Sequence, residues 1–243
     1  MTVLAYHKVD DRFEMGLTSV RPDAFARQIT QLQELGYRFS AFPEKISVDF
    51  KTISLTFDDA YDCFYRNVVP LLMPIRATAT VFAITEFVGK KNSWDLRLSY
   101  TPFIHMNEAQ LKEINSLGFE VGSHSCSHRD LTRLDNKTAW QELSDSKKQI
   151  EDLIGKEVIS ISFPYGRYNA AVVDQAREAG YRNLYGLGSS VFIDGVIGRI
   201  PVYRIDSPAA VRRKVEMNRL EVFKSDLIHS FANISALISV RRK

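Results

Sequence analysis

The chain has 243 residues, 45% hydrophobic and 25% charged, with 12 glycines, 8 prolines and 2 cysteines. This is ordinary globular composition, which excludes long disordered stretches, low-complexity sequence and a disulfide-stapled scaffold. The formal net charge of +3 is densest at Arg212, Arg213 and Lys214 and at Arg241, Arg242 and Lys243; without a basic stripe interleaved with aromatics, no nucleic-acid partner is expected.

The length suits one hydrophobic core, and residues 1–243 are read as a single domain. No run approaches the roughly twenty apolar residues of a membrane span. Met1 leads directly into Thr2-Val3-Leu4-Ala5-Tyr6 without a basic or apolar leader, so the default expectation is cytoplasmic, with a cell-envelope role left open. Cys63 and Cys126 are expected to be reduced and buried.

In chain order, the first strand ends at His7. A helix over 22–35, with Phe25, Ile29 and Leu32 on one face, stops at Gly36 before Tyr37-Arg38-Phe39. The strand Ile53-Ser54-Leu55-Thr56-Phe57 ends at Asp58-Asp59, and a further strand covers 78–84. Asn107 is placed to cap a helix over 108–117, with Gln110 completing a capping box, before Gly118 and the strand Phe119-Glu120-Val121-Gly122-Ser123, which ends at His124. A helix over 138–154, with Trp140, Leu143, Ile150 and Leu153 on one face, stops at Gly155 before Val158-Ile159-Ser160-Ile161; a helix over 169–179 stops at Gly180 before Tyr181. Val222, Phe223, Leu227, Phe231 and Ile234 space as one more helical face. Such helix-glycine-strand units argue for an α/β fold with a parallel sheet, closed as a barrel or open.

The reactive side chains all follow strands. His7, Asp58 with Asp59, His124, and Pro164 with Tyr165 should therefore converge at the carboxyl ends of the strands. Two adjacent carboxylates there repel one another unless a cation offsets the charge. His124 and His128, if the chain turns helical after the strand, join one of the aspartates as a two-histidine, one-carboxylate set, which leaves coordination positions open as catalytic metals require. The other aspartate can then take a proton from an attacking water while a backbone N–H stabilises an oxyanion, provided the strand bends at the pair.

Thr56-Phe57-Asp58-Asp59, His124-Ser125-Cys126-Ser127-His128 and Phe163-Pro164-Tyr165-Gly166 resemble, in order and spacing, the first three motifs of the polysaccharide deacetylase family, carbohydrate esterase family four. The resemblance spans about residues 1–205. It implies a distorted (β/α) barrel and removal of N-acetyl groups from an acetamido sugar or polysaccharide. Carried over by motif, Asp58 is the base, Asp59, His124 and His128 hold one divalent ion, with zinc the first choice, and the Tyr165 backbone N–H forms the oxyanion site. Pro164, Tyr165, His7, Arg199 and Trp94 are candidate substrate contacts, with Tyr100 beside Trp94 offering a second stacking surface.

Two departures stand out. The arginine usual before the third motif is replaced by Ser162, and Arg199 or Arg204 is available to supply the charge. The histidine of the family's last motif has one counterpart, His229 in Leu227-Ile228-His229, on a stretch that reads as helix, so His7 or water is the alternative proton donor to the leaving amine. Hydrolysis of another non-peptide C–N bond, or sugar binding without turnover, are the competing functions. Cys126 and His105 are read as structural.

Overall fold

The computed structural model describes residues 2–12, 16–41, 51–93, 102–187 and 195–217. In order they form β1 (Thr2–Tyr6), β2 (Lys8–Val9), β3 (Ser19–Val20), α1 (Pro22–Glu34), β4 (Arg38–Ser40), β5 (Thr52–Phe57), α2 (Val69–Leu72), β6 (Thr80–Ala83), α3 (Glu108–Ser116), β7 (Glu120–Ser123), α4 (Asn136–Ile154), β8 (Ser160–Ser162), α5 (Ala170–Glu178), β9 (Asn183–Leu187), β10 (Val196–Pro201) and α6 (Pro208–Val215). Seven parallel strands run in the order β1-β10-β9-β8-β7-β6-β5, and β5 pairs back onto β1 to close the ring. The expected (β/α) barrel is thus present. Its distortion lies at β5: β4 pairs with its first half and β6 with its last two residues, Thr56 and Phe57, while β1 takes the other edge.

Parallel strands covered by helices are buried on both faces, and alternate residues divide between two cores. Ile53, Leu55 and Phe57 of β5 join Leu4, Tyr6, Val81, Val121 and Ile161 in the large cluster beneath the helices. Each such side chain stabilises the fold by roughly 1.5–3 kcal/mol. On the other face Val3, Phe82 and Tyr185 form a separate cluster. Gly122 makes room for it, since a Cβ there would meet the Phe82 ring at 2.7 Å. Beside those rings the interior turns polar, with the Arg199 guanidinium 5.4 Å from Phe82 and 5.9 Å from Tyr185.

The caps explain the helix boundaries. Asn107 and Gln110 form the reciprocal capping box of α3. α4 starts two residues before the expected 138 because Asp135 accepts from the Thr138 N–H at 2.9 Å. Its buried face is Ala139, Glu142, Leu143, Ser146 and Ile150, whereas Trp140, expected there, is 37% exposed. Counting apolar residues missed this because two of the inward positions are polar and are used for hydrogen bonding. β8 and β9 also shift from expectation: the segment at 158–161 becomes strand only at Ser160, and that after Gly180 only at Asn183. Trp94, Tyr100, His229 and the stretch from Val222 to Ile234, expected from its spacing to be a helix, lie outside the described residues. Among the described residues, no helix is long and apolar enough to cross a membrane.

Candidate metal centre and active site

Ser54, Thr56 and Asp58 alternate with the outward residues of β5, which carries Asp58 into the barrel. The chain then leaves the strand abruptly, with φ 68° at Asp59 and 50° at Ala60. In an extended strand the two carboxylates would face opposite sides; the left-handed turn lets both serve one mouth. Asp59 Oδ1 lies 3.6 Å from His124 Nε2 and 3.7 Å from His128 Nε2. The three buried groups offer ligand atoms within 4.8 Å of one another.

The two histidines reach this point by a different route from the helical turn expected. Ser125 and His128 have φ of 65° and 60°, and the loop between them wraps around the Glu142 carboxylate of α4. That carboxylate accepts from the Cys126 and Ser127 N–H groups, each at 2.9 Å, and from the Ser127 hydroxyl. The His128 N–H donates to Ser125 Oγ at 3.1 Å. A side chain sixteen positions away therefore supplies the order that local helix would have supplied. Cys126, expected to be buried, is half-buried and points to Thr85, with burial pushing its thiol up to about 11, and it is not among the converging ligand groups.

The donor set fits a cation. His124 Nδ1 is 2.7 Å from the Ser162 carbonyl, which can only accept, so Nδ1 carries the hydrogen and Nε2 presents a lone pair. Burial lowers the pKa of His124 and holds His128 well below the ordinary imidazole value, keeping both rings neutral. Lone-pair nitrogens facing a buried carboxylate oxygen repel it unless a positive charge lies between them. Ligands about 2.1 Å from a tetrahedral ion sit roughly 3.4 Å apart, close to the separations found. One divalent ion with open coordination positions suits these three residues.

Asp58 belongs to a second constellation. The Arg199 guanidinium donates to Asp58 Oδ1 at 2.8 Å and Oδ2 at 2.9 Å, to Ser162 Oγ at 2.7 Å, to Thr56 Oγ1 at 3.1 Å and to the Gly186 carbonyl at 3.2 Å. All five N–H donors of an arginine are thereby used. Burial pushes the Asp58 carboxyl up, and Arg199, His124 and His7 outweigh it, leaving the group well below the usual carboxylate range. Arg199 is 1% exposed. It is therefore not the substrate contact that the sequence suggested, but it does stand against the aspartate, with Ser162 filling the space beside it. Arg204 is exposed and makes its main-chain bond to Leu17.

His7 Nε2 lies 3.9 Å from Asp58 Oδ2, with its side chain 21% exposed. Burial lowers its pKa to about 4, against the opposing pull of Asp58. Pro164 is buried and forms the turn rather than a sugar-facing surface. Tyr165 adopts φ 58° and sets its ring edge-on to His128 with centroids 4.6 Å apart. Of the seven non-glycine residues with positive φ among those described, five (Asp59, Ala60, Ser125, His128 and Tyr165) surround this mouth. Each costs on the order of 1–2 kcal/mol, a concentration of strain typical of functional sites.

Two contributors escaped the sequence reading. Glu142 was hidden in a helical pattern, although an acidic residue on an inward face is itself a signal. His105, taken as structural, places Nδ1 2.6 Å from the Asp59 carbonyl.

The sequence matches the polysaccharide deacetylase family over residues 45–184, more than half of the chain. Over 190 residues it is 27% identical to the YxkH protein of Bacillus subtilis (strain 168), covering 75% of this chain and 62% of that protein. It is 25% identical over 184 residues to a poly-beta-1,6-N-acetyl-D-glucosamine N-deacetylase of Staphylococcus aureus (strain MSSA476), covering 70% of this chain and 61% of that one. The matches thus span about three fifths of the length of these relatives. In fold the chain is similar to the Streptococcus pyogenes deacetylase PplD, solved in complex with acetate, with a TM-score of 0.74, 23% identity, and coverage of 88% of this chain and 96% of that one. Motifs, barrel and comparisons agree: the chain belongs to the polysaccharide deacetylase family.

Proposed function

We propose that the chain is a metal-dependent hydrolase that removes N-acetyl groups from an acetamido sugar within a polysaccharide, releasing acetate and a free amine. The observation that carries this reading is the pairing of two buried sets at one mouth: Asp59, His124 and His128 arranged for a cation, and Asp58 held as a carboxylate beside them. The relative that acts on poly-N-acetylglucosamine supports the substrate class.

When bound, a divalent ion, with zinc the first choice, supplies Lewis-acid polarisation and a lowered water pKa. The protein's own groups supply the rest. Asp58, kept ionised and fixed in plane by Arg199, accepts the proton of the attacking water. The Tyr165 backbone N–H, presented by its left-handed turn, stabilises the oxyanion that forms at the acetyl carbonyl. His7, at the end of β1 beside Asp58, receives that proton and delivers it to the leaving nitrogen; a ring that is neutral at rest suits such a relay. The barrel from β1 to β10 forms one catalytic unit in this scheme, because both of those strands contribute to the site. A sugar-binding protein without turnover has no use for a buried carboxylate held ionised by two arginine N–H donors.

The test is acetate release from N-acetylglucosamine oligomers by wild type and Asp58→Asn, each with matched metal content. Release by wild type that falls at least a hundredfold in the variant, the usual scale for a general base, supports the proposal. Sugar binding with no release from either protein would favour a binding role, and release from a small formamide or ureide alone would favour another C–N bond.

A further inference from the structure

The turn that aims Asp59 is held from outside the three motifs. Residues 103–106 run as a short strip between two neighbours. On one side the Met106 N–H donates to the Ala60 carbonyl at 2.7 Å and the Asp62 N–H to the Ile104 carbonyl at 2.9 Å. On the other, the Gly89 N–H donates to the Met106 carbonyl at 2.9 Å, the His105 N–H to the Lys90 carbonyl at 2.9 Å and the Asn92 N–H to the Phe103 carbonyl at 2.8 Å.

His105 joins the two sides. Its backbone bonds towards Lys90, while its ring turns back to the Asp59 carbonyl, 2.6 Å from Nδ1. Since a carbonyl only accepts, Nδ1 carries the hydrogen. The ring is 2% exposed and stacks on Tyr61 with centroids 4.6 Å apart, and the Tyr61 hydroxyl is itself held by Asn92 Nδ2 at 2.8 Å. The carbonyl thus gripped belongs to the peptide joining Asp59 to Ala60, the two consecutive left-handed residues. Fixing that peptide plane fixes ψ of Asp59 and φ of Ala60 together, and with them the direction of the Asp59 side chain. His105 is not one of the three converging ligand groups.

We propose that His105 is the positioning residue of the metal centre: its Nδ1–H bond to the Asp59 carbonyl locks the turn that directs the Asp59 carboxylate at His124 and His128. It thereby sets the affinity for the ion without touching it. This inference rests on the metal-site reading above.

Zinc affinity is measured by chelator competition on the metal-free full chain, for wild type, Asp59→Ala, His105→Phe and His105→Asn. Phenylalanine keeps the stack on Tyr61 and removes the donor; the asparagine amide can place an N–H near the position of Nδ1. The expected result is a 10- to 100-fold weaker affinity for His105→Phe, the usual scale for partners that orient a metal ligand, and about wild-type affinity for His105→Asn. A purely structural role would lower the unfolding midpoint of the metal-free protein and leave the zinc affinity of the folded fraction unchanged. Wild-type affinity in His105→Phe, or an equal loss in His105→Asn, overturns the proposal. If His105→Phe does not fold, His105→Leu takes its place, and the His105→Asn result still decides whether the donor matters. Failure of wild type to bind zinc more tightly than Asp59→Ala overturns the metal-site reading itself, an outcome distinct from failure of the His105 inference alone.

Discussion

Replacing Arg199 with methionine removes a guanidinium that makes five hydrogen bonds, two of them to the buried Asp58 carboxylate. Methionine fills similar space, so the cost is chiefly an uncompensated buried charge, about 3–5 kcal/mol when one partner of such a pair is lost. For a chain of this size that is a fall of roughly 6–20 °C in melting temperature. The pH dependence gives a second signature. In wild type the Asp58 pKa is depressed, so its contribution is complete above the unfolded value of about 3.9 and is lost as pH falls. In the variant burial is left as the dominant influence and raises the folded pKa, so the penalty is greatest at neutral pH and shrinks as acid neutralises the carboxyl. Urea denaturation of metal-free protein at pH 7 and pH 4.5 should therefore show the gap between wild type and Arg199→Met narrowing in acid, and adding Asp58→Asn should recover part of the loss. A cost below about 1 kcal/mol at pH 7, the level of a surface pair, or a gap that widens in acid, would refute this account of the pair.

His7→Gln should lower kcat by about 10²- to 10⁴-fold, the range for a lost general acid or base, with zinc affinity little changed; equal loss of both would place His7 among the metal-organising groups instead. Gly166→Ala puts a Cβ 2.4 Å from Leu187 Cβ and 2.8 Å from its backbone nitrogen at φ +66°, so overpacking and strain should cost about 2–4 kcal/mol in urea midpoint analysis. Glu120 is buried, and burial raises its pKa against the hydrogen bonds from Ser160 and from Thr80. A raised carboxyl contributes stability below its unfolded pKa and loses it as pH rises through the folded value. Glu120→Gln should abolish that loss, leaving the variant at least as stable as wild type at pH 7, and a marked destabilisation there would contradict the reading.

The convergence of the candidate residues could be read from sequence where a motif sits directly after a strand. Asp58, Asp59, His124 and His128 meet because parallel strands deliver their ends to one mouth, a rule that needs only the strands and their order. What escaped was set by side chains reaching across the fold. Trp140 looked like core because it is apolar and correctly spaced, while Glu142, two residues on, takes the inward position to order the ligand loop. Arg199 was available as a charge but not as a geometry: its link to Asp58 spans 141 residues and depends on β10 lying beside β1, which a local pattern does not encode. The left-handed turns at Asp59, Ser125 and His128 involve no glycine, so no local residue preference marked them.

One ion held by Asp59, His124 and His128 is proposed to make this chain a deacetylase. This is tested most directly by titrating zinc into the chelated protein while following acetate release from N-acetylglucosamine oligomers. Activity should rise to a plateau at about one equivalent of zinc, with none at any level of zinc in Asp59→Ala. Release that survives chelation, or an Asp59→Ala protein as active as wild type, would contradict it.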